Sequence, residues 1–205
     1  MRGCGSSWQA LHEFGVDAAV GYVSVISDTM DVSPTTVFQE LGLSEEFFEQ
    51  RGLLRFEDAD ELDVVQTDEN GRIHELVTNA CEAWHVMKEA ALIAGHEIFI
   101  VSAFRSASRQ AEIVRAKHLS GIGNDEIFAV SAPPGYSEHH TGRAIDVSTP
   151  GYPVLEEEFE RSEAFSWLEE NAVSFGFSMT YPRDNKFGFI YEPWHWSYTG
   201  SGKVP

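Results

Sequence analysis

Ser137-Glu138-His139-His140-Thr141-Gly142-Arg143-Ala144-Ile145-Asp146 is the stretch on which the reading of this chain turns. A loop histidine precedes a strand-like run, Thr141 to Ser148. Side chains alternate along a strand, so Ala144 and Asp146 share one face while Ile145 and Val147 point into a core. Gly142 lets the chain turn and approach itself closely just before the strand. His139 can then fold back beside the Asp146 carboxylate, and imidazole plus carboxylate is a partial donor set for zinc. Taken alone the pair is weak, because many histidines and aspartates share a loop and a strand.

Glu192-Pro193-Trp194-His195-Trp196 adds what is missing. A Glu and a His three residues apart sit among aromatic residues, where burial is costly unless they are paired or bind a metal. His195 supplies a third ligand and leaves one zinc position open for water, the arrangement of catalytic sites. Glu192 then lies near that water and can move its proton to a leaving amine. The alternative for this segment is an ordinary aromatic strand with surface-paired polar groups. A third element is Phe104-Arg105-Ser106, followed by Gln110. Arg105 leaves a buried strand just before a helix, where it can reach a substrate carboxylate or an oxyanion. The other histidines lie in or beside helices (His74, His85, His96, His118) or in the featureless N-terminus (His12), and read as surface or core residues.

Around these motifs the periodicity predicts a mixture of elements. Residues 62–65 read as a short strand, and 68–71 as a turn. A long amphipathic helix is expected from Glu75 to Ala94, with Val77, Ala80, Cys81, Trp84, Met87 and Ala91 on one face. Residues 97–103 read as a buried strand, 108–119 as a helix, 120–136 as loop, and 162–175 as a helix stopped by Gly176. Short strands are expected near 177–181, 187–191 and 194–198. Helix starts stand at Ser33-Pro34 and at Ser44 with Glu45 and Glu46, and a short strand at 20–26. Strands and helices without a strict βαβ repeat argue for an α+β fold.

Composition bounds the function. The chain has 205 residues, 42% hydrophobic and 12% aromatic, enough for a core. With 14 basic and 33 acidic residues the net charge is −19, which repels phosphate backbones and anionic membranes. The excess is uneven: residues 1–70 hold 3 basic and 15 acidic side chains. No run approaches the length of a membrane span, and no signal peptide is evident. The expected compartment is therefore the cytoplasm by default, or the cell envelope if a leader has been removed. Cys4 and Cys81 cannot build a disulfide framework, and neither lies in a C-x-x-C pair.

The ordered motifs resemble the zinc D-alanyl-D-alanine carboxypeptidases of the VanY type, part of the wider group with lysostaphin-type peptidases and the hedgehog fold. Ser137 to Asp146 fits S-x-H-x-x-G-x-A-x-D, and Glu192 to His195 fits E-x-x-H. Phe104-Arg105-Ser106 with Gln110 resembles the family's Y-R-S turn and glutamine, and Pro134 to His139 its P-G-x-S-E-H approach. Trp167 to Asn171 with Gly176-Phe177, and the closing Tyr191 to Trp196, are similar too. The resemblance covers about residues 62–200 and implies a small central antiparallel sheet flanked by helices. It implies His139, Asp146 and His195 as ligands of a Zn2+ ion, and Glu192 as general base and acid. Arg105 becomes the positive group at the substrate, with Ser137 and Gln110 as further substrate contacts.

The implied reaction is hydrolysis of the terminal D-Ala-D-Ala bond of a peptidoglycan stem peptide, by a protein expected to be a monomer. D,D-dipeptidase, L,D-carboxypeptidase or endolysin-type specificity on the same site are alternatives, as is a non-catalytic zinc-binding module. Glu192 counts against the last. Departures are Phe104 in place of tyrosine, Ser197 where a basic residue is expected, and His140 where glutamine is common. Residues 1–61 match nothing and read as an N-terminal extension packed on a peptidase domain of residues 62–205.

Overall fold

The computed structural model describes residues 33–200. The strand expected at 20–26 and Cys4 lie outside them. Ser33 caps helix α1 (Pro34–Leu41), its Oγ accepting from Thr36 N, with Pro34 where a missing N–H costs nothing. Helix α2 (Glu45–Gln50) follows, with Glu45 and Glu46 in its first turn, where negative charge suits the helix dipole. Strands β1 (Asp63–Thr67) and β2 (Ile73–Leu76) form an antiparallel hairpin. Helix α3 (Thr78–Ile93) leads to β3 (Phe99–Ser102), and α4 (Ala107–Leu119) to α5 (Asn124–Val130). A 3-10 turn over Glu138–Thr141 precedes β4 (Ala144–Ser148). Helix α6 (Glu163–Asn171), β5 (Phe177–Met179) and β6 (His195–Tyr198) complete the order.

The main sheet has the order β3-β4-β6-β5, antiparallel throughout. Its floor is apolar. Ile100, Ile145, Val147 and Trp196 pack in one core with Ala80, Cys81, Trp84 and Met87 of α3 and with Phe165 and Leu168 of α6. The face predicted for α3 is the buried one. Every residue of β4 is buried, so Asp146 is enclosed on the face opposite Ile145 and Val147.

A second core lies beside the sheet. Val37, Phe38, Leu41 and Phe48 of α1 and α2 pack with Ala111 and Val114 of α4, Ile127 and Phe128 of α5, and Tyr136. Phe48 is fully buried, its ring 4.9 Å from that of Phe128 and 5.7 Å from Tyr136. Residues 33–61 thus share a core with the loop that leads into the histidine segment.

Three expectations need correction. The helix expected from Glu75 starts at Thr78, because residues 73–76 pair with β1 and alternate in burial. Residues 120–136 are not all loop: α5 forms there and buries Ile127 and Phe128. Residues 187–191 form no strand. The Asn185 side chain donates to Phe189 O and accepts from Phe187 N, using up backbone groups a ladder would need.

Candidate active site

The sheet register sets Asp146 directly opposite His195 on β6 and Ser102 on β3. Directly opposed residues of antiparallel strands project on the same face. His139 arrives from the 3-10 turn, which Gly142 ends in the left-handed conformation with φ 62°. A Cβ on Gly142 would stand 2.8 Å from Leu62 Cδ2 and 3.1 Å from Val77 Cγ1, so only glycine closes this turn without displacement.

The result is a compact, buried donor group. His139 Nε2 lies 3.3 Å from Asp146 Oδ2, and His195 Nδ1 lies 3.0 Å from Asp146 Oδ1. One donor atom from each of the three residues lies within 4.8 Å of the others. The outward nitrogens are tied back. His139 Nδ1–H donates to Ala103 O at 2.7 Å, which leaves Nε2 with its lone pair inward. His195 Nε2–H donates to Glu138 Oε2 at 3.0 Å, which leaves Nδ1 inward. Imidazoles held by a carbonyl and by a carboxylate are the usual outer support of metal-binding histidines. Two inward nitrogens and a shared carboxylate fit a divalent metal with one position left over.

Electrostatics follow from burial. Burial opposes ionisation of Asp146, yet His139 and His195 outweigh it and hold the carboxyl well below its usual range. Burial favours neutral His195, but hydrogen bonds to Asp146 and Glu138 raise its pKa. For His139 burial prevails and the pKa is lowered. Glu192 Oε2 lies 4.0 Å from His195 Nδ1, outside the donor group but beside it. Burial pushes its pKa to about 7, against the pull of His195.

Glu192 and His195 are brought together by a turn, with His195 N donating to Glu192 O, rather than by a continuous strand. Arg105 follows β3, and its backbone N–H donates to His139 O at 3.2 Å. Its guanidinium is in the field of Asp146 and Glu192, and its buried Nε has no hydrogen-bond partner. Gln110 is 1% exposed, donates from Nε2 to Ala132 O at 2.6 Å, and has an unpartnered buried Oε1. Ser137 is buried, and its Oγ accepts from His139 N at 3.4 Å as the cap of the 3-10 turn. His140 points away from the donor group: Nδ1–H donates to Arg105 O at 2.6 Å, and Nε2 accepts from Gly135 N at 3.0 Å. It therefore does not compete for a metal.

Sequence reasoning missed two neighbours of the donor group: Glu138, which anchors His195, and Tyr181, whose ring stacks 4.6 Å from that of His195; it also missed Lys117, whose charge is acted on by Arg105 and Glu192. Glu138 sits inside the quoted stretch, so its signal was its place next to His139.

Residues 73–201 match the D-alanyl-D-alanine carboxypeptidase family designated VanY. The chain belongs to this family. Among curated relatives, YodJ of Bacillus subtilis is 35% identical over 129 residues, 59% of this chain and 45% of its own length. A D-alanyl-D-alanine carboxypeptidase of Enterococcus faecalis is 32% identical over 122 residues, 55% of this chain and 44% of its own. The chain thus spans about half the length of these curated relatives. Among solved structures, the LD-carboxypeptidase LdcB matches with a TM-score of 0.63 at 31% identity, covering 72% of this chain and 71% of LdcB. VanYB in complex with D-alanine-D-alanine matches with a TM-score of 0.58 at 27% identity, covering 73% and 82%. A VanY D,D-pentapeptidase in complex with Zn(II) matches with a TM-score of 0.54 at 28% identity, covering 69% and 79%. These neighbours share the hedgehog-like α+β fold expected from the motifs. Among the described residues no helix is long and apolar enough to cross a membrane.

Proposed function

We propose that this VanY-family chain is a zinc-dependent D,D-carboxypeptidase, active as a monomer, that removes the terminal D-Ala from peptidoglycan stem peptides. The observation that carries the proposal is the buried His139–Asp146–His195 group with Glu192 beside it. Residues 62–205 carry the chemistry in this reading, and residues 33–61 brace the loop that leads to His139.

His139 Nε2, His195 Nδ1 and an Asp146 oxygen would hold the ion. A zinc ion bound there supplies a Lewis acid for the scissile carbonyl and lowers the pKa of water. Glu192 takes the proton of the attacking water on a carboxylate oxygen and passes it to the nitrogen of the leaving D-Ala. A carboxyl pushed to about 7 suits both halves of that transfer near neutral pH. Arg105 directs a cation at the carbonyl oxygen as negative charge builds on it. Ser137 and Gln110 line the approach as polar contacts. The negative surface of the chain disfavours nucleic acid as a partner.

The test is hydrolysis of defined stem peptides by the zinc-loaded protein, with metal content measured by elemental analysis. Release of D-Ala from a pentapeptide is expected. Release from the tetrapeptide instead would favour L,D-specificity, the activity named for LdcB. Glu192→Gln should keep zinc and lose activity by about 10²–10⁴-fold. Undiminished hydrolysis by that variant would remove Glu192 from the mechanism.

A further inference from the structure

Residues 181–192 form a closed loop that delivers Glu192 to the donor group. Its neck is a backbone hydrogen bond, Glu192 N donating to Tyr181 O at 3.0 Å, and the Tyr181 ring stacks on His195. Two aromatic side chains of the loop meet the same ring edge to face, Phe189 at 5.0 Å and Phe187 at 6.0 Å. The Asn185 side chain serves the backbone of Phe187 and Phe189, which fixes the loop only against itself. Arg183 reaches Glu157 and Glu160, but in exposed ion pairs that hold weakly. Two part-buried anchors remain. Ile190 N donates to Ala129 O of α5 at 2.9 Å, and Arg51 Nη2 donates to Phe187 O at 2.9 Å.

The same Arg51 nitrogen donates to Phe128 O of α5 at 3.2 Å, and the guanidinium lies 5.3 Å from the centre of the Phe189 ring. Arg51 is half-buried, follows α2 directly, and precedes the residues matched to the VanY family. One cation thus ties α5 to the loop through two carbonyls, 77 and 136 residues away in the chain, by charge-assisted hydrogen bonds shielded in part from water. We infer that Arg51 is a positioning residue: it fixes the 181–192 loop and so holds the Glu192 carboxylate beside the donor group. The inference rests on the peptidase reading above. His195 is less dependent on this path, because Asp146 and Glu138 engage both its ring nitrogens. Arg51 therefore governs Glu192 and turnover while leaving the metal ligands in place.

Two variants separate the cation from its packing. Arg51→Met keeps an unbranched stem without donors, and Arg51→Lys keeps a cation whose ammonium can donate to both carbonyls. The zinc-loaded full-length proteins are compared, well below each Tm, for zinc content and for kcat and KM on a peptide ending in D-Ala-D-Ala. Amide hydrogen exchange is followed residue by residue. Arg51→Met should lower kcat about 10-fold or more, with KM within about 3-fold and zinc content unchanged. The amides of Ile190 and Glu192 should exchange about 10-fold faster or more, while those of β4 keep the parent's rate. Arg51→Lys should recover most of the turnover and most of the protection.

A smaller fall in kcat overturns the inference, even where Tm drops, and reduces Arg51 to a support for α2 and α5. A lower kcat with unchanged exchange at Ile190 and Glu192 also overturns it, as does faster exchange in β4, which marks general loosening. Loss of zinc by Arg51→Met overturns it as well, since the effect then runs through the ligands. If the parent cleaves no peptide, the peptidase reading fails and exchange alone decides: faster at Ile190 and Glu192 keeps Arg51 as the anchor of the loop, and unchanged rates overturn it. Should Arg51→Met not fold, Arg51→Gln, which keeps a neutral N–H donor, is read by the same outcomes.

Discussion

His139 and His195 present opposite ring nitrogens to Asp146, and each does so because its other nitrogen is tied down. Glu138 is therefore a positioning residue for His195. Glu138→Ala should weaken zinc binding about 10–100-fold in a chelator competition, with the circular dichroism spectrum unchanged, whereas Glu138→Gln should lose less because its amide oxygen still accepts the hydrogen bond. Equal affinity of Glu138→Ala and the parent would contradict that role. Lys117 gives a pH test. Its folded pKa is lowered from 10.5 to about 8, so below pH 8 the folded state bears the full cost of a buried charge. From pH 8 to 10.5 the unfolded chain binds the extra proton, and stability from this group rises with pH. The stability advantage of Lys117→Met over the parent should therefore shrink by up to about 3 kcal/mol as pH rises from 7 to 10.5, read from denaturant midpoints. His139, Asp146, Glu192 and His195 were legible because polar groups interrupt glycine-punctuated or aromatic segments that need a reason to hold them. Glu138 and Lys117 were not, since an acid before a histidine and a lysine late in a helix are ordinary in one dimension. The partner of Glu138 stands 57 residues away at His195, and that of Lys117 stands 14 away at Ser131, beyond α5.

At the scale of elements, the Gly142 turn is the most constrained joint. Gly142→Ala imposes a left-handed φ on a Cβ-bearing residue and a contact with Leu62, and should cost about 2–3 kcal/mol of stability by denaturant unfolding. A cost below about 0.5 kcal/mol would show that Leu62 and Val77 yield freely. Helix α3 was readable from its apolar spacing, since tertiary burial and helical period agree along it. β2 was hidden because Ile73-His74-Glu75-Leu76 runs straight into that helix, and only pairing with β1 decides its state. α5 was hidden by its brevity, although Asp125 and Glu126 mark its first turn. The aromatic run at 187–191 shows the reverse error: strand-like composition, with backbone partners claimed by one asparagine.

Over the whole molecule, residues 33–61 are stitched to the site rather than laid on the outside. Phe56 N donates to Gly135 O and Ala59 N to His140 O, both at 2.8 Å, while Asp58 Oδ1 accepts from Ala107 N at the start of α4. Phe48→Ala should therefore cost about 3–5 kcal/mol, and deletion of residues 1–61 should lower Tm further than that single change. A truncated protein with the parent's Tm would make the segment dispensable for folding. Metal removal should act differently: chelation abolishes activity and lowers Tm, yet the far-ultraviolet spectrum persists, because both apolar cores are built without the ion. Spectral collapse on chelation would mark a metal-nucleated fold instead. The facing of Asp146 and His195 across β4 and β6 carries a last implication. Sliding β4 by a single residue would turn Ile145 toward the imidazoles and drive a carboxylate among Trp84 and Met87. Any such misaligned conformer would be too unstable to accumulate, so once the metal site is filled a sample's active fraction should equal its folded fraction.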